Sequence, residues 1–163
     1  MKQQIREWTK DDLSTIREIA LKTWRDTYLN IFTEEEIVST HKQYYSSDRL
    51  IKLLESKIGF VYTINDEPVA YLIAKKKDEK DRFYINSFYV LPEKQGSGIG
   101  KQILESVIKK AKPLGYKEIW LDVMAGNTKA IKWYEHQNFV FVGKGNFKMG
   151  NSETETMVGY KTI

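Results

Sequence analysis

The chain has 163 residues, of which 41% are hydrophobic, and a formal charge of +4 from 26 Lys and Arg against 22 Asp and Glu. That balance excludes a disordered chain and suits a single packed domain over residues 1–163. Cysteine is absent and the only histidines are His41 and His136, which excludes disulfide frameworks, thiolate metal sites, a cysteine nucleophile and any sequence-local metal motif.

The opening "MKQQIREWTKDDL" is polar and charged, unlike a secretory signal. No apolar run approaches the roughly 18 residues that span a bilayer. A cytoplasmic protein without membrane contact is the expectation. "TKDDLSTIREIALKTWRDTY" offers Thr9 as an N-cap with acids in the next turn, and Leu13, Ile16, Ala20, Trp24 and Tyr28 recur on one helical face. "TEEEIVSTHKQYY" and "SSDRLIKLLESK" repeat that pattern as two shorter helices. The texture then changes. "GFVYTIN" and "PVAYLIAKK" are β-rich runs joined by the turn signal "NDEP". "KKKDEKDR" alternates in sign where a hairpin turn falls, which reads as a solvated turn and not as a nucleic-acid patch. "DRFYINSFYVL" is a long aromatic strand. Ile99, Ile103, Leu104, Val107, Ile108 and Ala111 form a helical stripe ended by "KPLGY". "KEIWLDVMA" is a strand, "NTKAIKWYEHQN" a short helix begun by a capping asparagine, and "FVFVGKG" and "TETMVGYKTI" are closing strands. No repeat, low-complexity segment or linker interrupts this α/β order.

The stretch Gln95-Gly96-Ser97-Gly98-Ile99-Gly100 stands directly before the helical stripe. A glycine turn there exposes successive N–H groups, and the helix aims its positive end at whatever anion they meet. A side chain at Gly98 or Gly100 would keep that anion from the backbone. By itself the loop is equally compatible with a plain turn. A P-loop needs Lys and then Ser or Thr after the last glycine, whereas Lys101 and Gln102 follow here. A dinucleotide fold needs its glycines in an early β-α-β unit, and this loop follows several strands.

With "FYVLPEKQGSGIGKQIL" and "NTKAIKWYEHQNF" in the right order, the sequence resembles the GNAT family of acetyl-CoA-dependent N-acetyltransferases. The first segment matches the family's strand ending in V-x-P and its Q-x-x-G-x-G helix start. The second supplies Asn127, Ala130, Tyr134 and Phe139 at the family's spacing. The resemblance covers nearly the whole chain. It implies an α/β (α+β) fold with a central mixed, mostly antiparallel sheet flanked by helices. It also implies acetyl-CoA as co-substrate, a small-molecule amine as acceptor, no metal, no nucleic acid, and a monomer or homodimer.

The same resemblance implies a site. The pyrophosphate would rest on the loop Gln95, Gly96, Ser97, Gly98, Ile99, Gly100 and Lys101, and the pantetheine arm on the backbone of Phe88, Tyr89 and Val90. Family members have a β-bulge that splays this strand from its neighbour, leaving ladder groups free for a ligand's amides. Asn127 would reach the arm, cap its helix, or both. Tyr134 matches the family's general acid, against the plain alternative of a buried aromatic anchor. A backbone N–H near Val90 would meet the developing oxyanion. The expected general base is missing, because Asn86 stands where relatives have glutamate. A water chain, Asp122 or Glu34 remain as candidates.

The two ends of the chain resemble the polyamine acetyltransferases of the PaiA type. Trp24 and Tyr28 share a helical face on which a cation could sit, and Glu34, Glu35 and Glu36 could draw a polycation. Equally, those aromatics could only pack in the core, and glutamates suit a helix N-terminus. A protein N-terminus, lysine, an amino acid and an aminoglycoside are rival acceptors. A non-catalytic acyl-CoA-binding module and a nucleotide-binding regulator are rivals from other classes.

Overall fold

The computed structural model describes residues 1–163. One sheet runs through it in the order β1-β2-β3-β4-β5-β7-β6, from strands β1 (Gln3–Glu7), β2 (Gly59–Ile64), β3 (Glu67–Lys75), β4 (Arg82–Val90), β5 (Glu118–Met124), β6 (Val140–Met149) and β7 (Ser152–Thr162). Every neighbouring pair is antiparallel except β4 with β5. Helices α1 (Leu13–Tyr28), α2 (Glu34–Tyr44) and α3 (Ser47–Leu53) cover one face, and α4 (Ile99–Ala111) and α5 (Thr128–His136) cover the other. Alternation along β3 serves both layers, as period-two side chains must. Tyr71 and Ile73 pack under α1, while Ala70, Leu72 and Ala74 pack under α4.

Local chemistry sets the element ends. Thr33 caps α2 by accepting from the Glu36 N–H at 3.2 Å, and the Glu36 carboxylate returns to the Thr33 N–H at 2.9 Å. That carboxylate also accepts from the Ser152 hydroxyl at 2.5 Å, tying α2 to the β6–β7 turn. Asn65 and Asp66 both take left-handed backbone, φ 52° and 69°, as the tight turn between β2 and β3 demands. Asn138 does likewise, φ 66°, after α5.

The structure departs from the sequence expectations in three places. The polar opening forms β1, an edge strand exposed at both ends, which pairs with β2 from Gln3↔Ile64 to Glu7↔Phe60. Thr9 caps a 3-10 turn at Lys10–Asp12, and α1 itself begins at Leu13. The helix expected up to Lys57 ends at Leu53, and a 3-10 turn leads to Lys57 in left-handed backbone, φ 58°.

The feature that positions the site lies in β4. Its register against β3 passes from Ile73↔Ser87 to Ala74↔Ile85 and skips Asn86, a bulge. Against β5 it pairs only over Arg82–Tyr84, with Glu118–Trp120. Beyond that point the two strands part, and β5 continues along β7 from Glu118↔Thr162 to Met124↔Thr156.

Between β1 and α1, Arg6 donates to both Asp12 oxygens at 2.7 and 2.9 Å, and Asp12 accepts from the Thr9 N–H at 2.8 Å. Burial alone would raise the Asp12 carboxyl. The Arg6 guanidinium and the Thr9 N–H outweigh it and hold the group below its ordinary value. This contribution is therefore complete at neutral pH and fades as pH falls below about 4. Asp12→Ala is expected to cost about 1–2 kcal/mol by urea unfolding at neutral pH, with the gap from the parent narrowing in acid.

Candidate functional site

Where β4 and β5 part, a cleft of about 1070 Å³ opens through the molecule. One end is lined by the glycine loop and α5, the other by side chains of α1, α2, β3, β5 and the β6–β7 hairpin.

At the first end, Gly96 and Gly98 hold φ of 76° and 83°, backbone that L side chains rarely adopt. A Cβ on either would meet nothing within 4 Å, so the space above them is open. No backbone N–H from Gly96 to Lys101 is paired within the chain; the first to bond is Gln102, to the Gly98 carbonyl at 3.2 Å. Unpaired amides at a helix start form an anion cradle, and Lys94, Lys101, Lys129 and Lys132 line the same end. These groups fit a phosphorylated ligand. Gly100 has a packing task beside its place in the loop: an added Cβ would lie 3.0 Å from the Trp133 ring, so its hydrogen lets α5 approach α4. The Gln95 side chain is committed to structure, donating to the Val90 carbonyl at 3.1 Å and accepting from Lys129 at 2.7 Å. The Ser97 hydroxyl turns back to the Lys94 carbonyl at 2.5 Å, which leaves only its backbone for a ligand. The Ile99 side chain opens α4 and is buried in the core.

Asn127 caps α5, accepting from the Ala130 N–H at 3.2 Å, and lines the cleft. Tyr134, one helical turn beyond Ala130, is 8% exposed and packs against Phe139 and Phe88 with ring centroids 5.2 and 6.4 Å away. Its hydroxyl has no partner in the protein, is not sealed in, and borders the cleft. Burial, and then the neighbouring Tyr89, push this phenol well above its ordinary range, so it stays protonated. On β4, Phe88 faces α5 while Tyr89 faces α1, packed edge-on to Tyr71 at 6.0 Å.

The second end is aromatic. Trp24 and Tyr28 line it, yet both are core residues as well, 4% and 6% exposed. The Trp24 indole N–H is the one buried side-chain polar atom without a partner. Behind it, the Tyr71 hydroxyl donates to Tyr45 at 2.9 Å. Asn86 and Asp122 both reach the cleft, Asp122 accepting from the Thr156 hydroxyl at 3.4 Å. Glu34 does not: it points outward, paired with Arg25 at 2.6 Å, because the first turn of α2 faces solvent. No group of three His, Asp or Glu side chains is placed to hold a metal ion, and no helix is long and apolar enough to cross a membrane.

Sequence reasoning passed over Lys75, Tyr44, Phe147 and Asn146, which all line this second end. A signal for Lys75 was present: it follows Tyr71 and Ile73 in strict alternation, a lysine in phase with core residues. The β6–β7 residues had none, since their place depends on the hairpin folding over α2.

The sequence profile described as the acetyltransferase (GNAT) family matches residues 7–139. The spermidine N(1)-acetyltransferase of Thermoplasma acidophilum is 28% identical over 141 residues, which are 83% of this chain and 87% of that one. The [ribosomal protein bS18]-alanine N-acetyltransferase of Escherichia coli K12 is 34% identical over 86 residues, 52% of this chain and 56% of its own. Among solved structures, the PaiA N-acetyltransferase of Thermoplasma acidophilum, crystallised with coenzyme A, superposes with a TM-score of 0.82 at 23% identity, covering all of both chains. Ard1 of Thermoplasma volcanium reaches 0.80 at 18% identity, over 100% of this chain and 99% of that one.

Burial lifts the phenols of Tyr28, Tyr45, Tyr71, Tyr89 and Tyr134 above the ordinary tyrosine value. A group raised in this way favours the folded state below its unfolded value, near 10, and penalises the ionised, unfolded chain less as pH climbs past it. In an alkaline absorbance titration these five are expected to ionise only as the chain unfolds, in one cooperative step.

Proposed function

The chain belongs to the acetyltransferase (GNAT) family and is an N-acetyltransferase that draws on acetyl-CoA, and from that premise we propose that it acetylates a primary amine, a polyamine, by direct attack with donor and acceptor bound together. The observation that carries this reading is the cleft itself: an anion cradle at one end, an aromatic chamber at the other, and the unpaired stretch of β4 between them.

Acetyl-CoA supplies an activated thioester carbonyl. The loop amides from Gly96 to Lys101 would hold its pyrophosphate, with Lys101 and Lys129 adding charge. Phe88, Tyr89 and Val90 would offer ladder groups that β5 leaves free, the way an edge strand takes an added one. Asn127 keeps its cap and would turn its remaining polar atoms to the same arm. Tyr134, protonated and without a protein partner, would hand its proton to the departing sulfur. With no cysteine in the chain, a thioester-linked enzyme is excluded, which favours direct transfer.

Polyamine as acceptor is supported by the spermidine-acetylating relative. It is also supported by the rings of Trp24, Tyr28 and Phe147 lining the chamber, with Asp122 and the amides of Asn86 and Asn146 among them. Such rings attract ammonium groups, and a carboxylate holds them. A second reading, an amine carrying a nearby anionic group, is favoured by Lys75 and Lys77 in the same chamber.

An amine panel following CoA release, with spermidine, spermine, lysine peptides, free amino acids and aminoglycosides, decides among these. Preference for spermidine is expected, and preference for an acidic amine would replace the polyamine reading. Tyr134→Phe should lower kcat by about a hundredfold or more with little change in the KM for acetyl-CoA; an undiminished kcat would remove the acid role. Gly98→Glu should raise the calorimetric Kd for CoA by about tenfold or more, whereas Gly98→Asn, which tolerates left-handed backbone without added charge, should bind more tightly than Gly98→Glu.

A further inference from the structure

The acetyl-transfer reading leaves one proton unassigned. An amine acceptor arrives mostly as an ammonium ion, which has no lone pair to attack with, and Asn86 at the bulge cannot accept a proton. The cleft contains few alternatives. His136 stands on α5, the helix of the donor end, and Asp26 lies on the exposed side of α1. Asp122 is exposed and shared with Thr156. His41 is turned away, its Nε2 on the Arg17 carbonyl at 2.9 Å behind Trp24.

We propose that Lys75 is the general base that takes the proton from the acceptor's ammonium group. It is the last residue of β3, in phase with Tyr71 and Ile73, so its side chain leaves the sheet on the acceptor face and borders the cleft. Its register partner is Tyr84, and the preceding pair is Ala74↔Ile85, which sets it one strand away from the bulged Asn86. It makes no hydrogen bond, ion pair or cation–π contact, whereas the neighbouring Lys77 sets its ammonium 3.9 Å from the centre of the Tyr84 ring. Burial without a partner disfavours the charged form of an amine.

The charged groups facing it act in the same sense. Burial lowers the Lys75 amine below the ordinary lysine value, Lys77 from the same hairpin and Arg49 from α3 lower it further, and only Asp122 from β5 opposes them. The phenols of Tyr28, Tyr44, Tyr45 and Tyr84 also line this end of the cleft. A polycationic acceptor entering the chamber would add to the lowering, so substrate charge itself would favour the neutral amine.

The protons balance. The neutral Lys75 amine takes one proton from the acceptor's ammonium, and the freed nitrogen attacks the thioester carbonyl. A carbon–nitrogen bond forms, the carbon–sulfur bond breaks, and the sulfur receives the Tyr134 proton. The nitrogen's surplus proton passes to solvent, Lys75 releases the one it took, and Tyr134 regains one. The sum is amide, CoA thiol and one proton from ammonium and thioester.

The assignment rests on the transferase reading, and its test separates the two. Lys75→Met and Lys75→Arg are compared with the parent on whichever amine the panel shows to be turned over. Both should lose about a hundredfold or more in kcat/KM for the amine at neutral pH, with the deficit closing as alkaline pH supplies neutral amine, and with an unchanged Kd for CoA. Arginine keeps the charge but cannot give up its proton. A Lys75→Arg enzyme at the parent's rate would therefore overturn the base and leave a cation that holds an anionic acceptor group. In the ligand-free protein, NMR of 13C-dimethylated lysines, with the Lys75 signal identified by its loss in Lys75→Arg, should show Lys75 titrating below the other lysines. Titration together with them overturns the assignment even if the enzyme acetylates amines as proposed. A panel without any turnover would sink the transferase reading and the base with it.

Discussion

The whole site depends on a strand pairing that stops early. Parallel β4 and β5 share three residue pairs and then separate, although each runs on for several more residues. A bulge at Asn86 bends β4 away, and β7 holds β5 in place along its full length. Backbone polar groups must be satisfied somewhere, so a strand released from its neighbour at the centre of a sheet is a demand for a ligand. The glycine loop makes the same demand a few residues later, with N–H groups that nothing in the chain answers. A ligand with amides along its length and phosphate at its end satisfies both together.

Around that opening the protein has set a low-dielectric wall. Five buried tyrosines and Trp24 stand where β4 meets α1 and α5, and burial keeps their phenols neutral. Charge is placed at the two mouths instead: lysines beside the loop, Lys75, Lys77 and Asp122 at the other end.

Most of this was legible where a residue's task is local. The helices α1, α2, α4 and α5 and the strands β2 to β5 show their periods plainly, and the loop glycines, Asn127 and Tyr134 are tied to helix starts and turns that spacing reveals. Legibility ended where a task depends on distant partners. β1 has no apolar alternation because one edge and much of both faces meet solvent, so only its fit to β2 makes it a strand. Glu34 looked like a lure for cations, but which way the first turn of α2 faces is a tertiary fact. Gly100 reads as part of the loop, but that its missing side chain also makes room for the Trp133 ring is a tertiary fact. Lys75 gave only a faint signal, its phase with Tyr71 and Ile73, because a lysine at a strand end is usually a surface residue.

The bond between the Glu36 carboxylate and the Ser152 hydroxyl joins residues 116 positions apart. The cap of α2 thus leans on a turn synthesised long after the helix itself, and β5 waits on β7 in the same way. On the ribosome, the segments that wall the acceptor chamber would emerge with their partners still unmade. Long-range closure of this kind is slow, so a chain emerging in order would expose the aromatic residues of α1 and α2 before the hairpin that covers them exists.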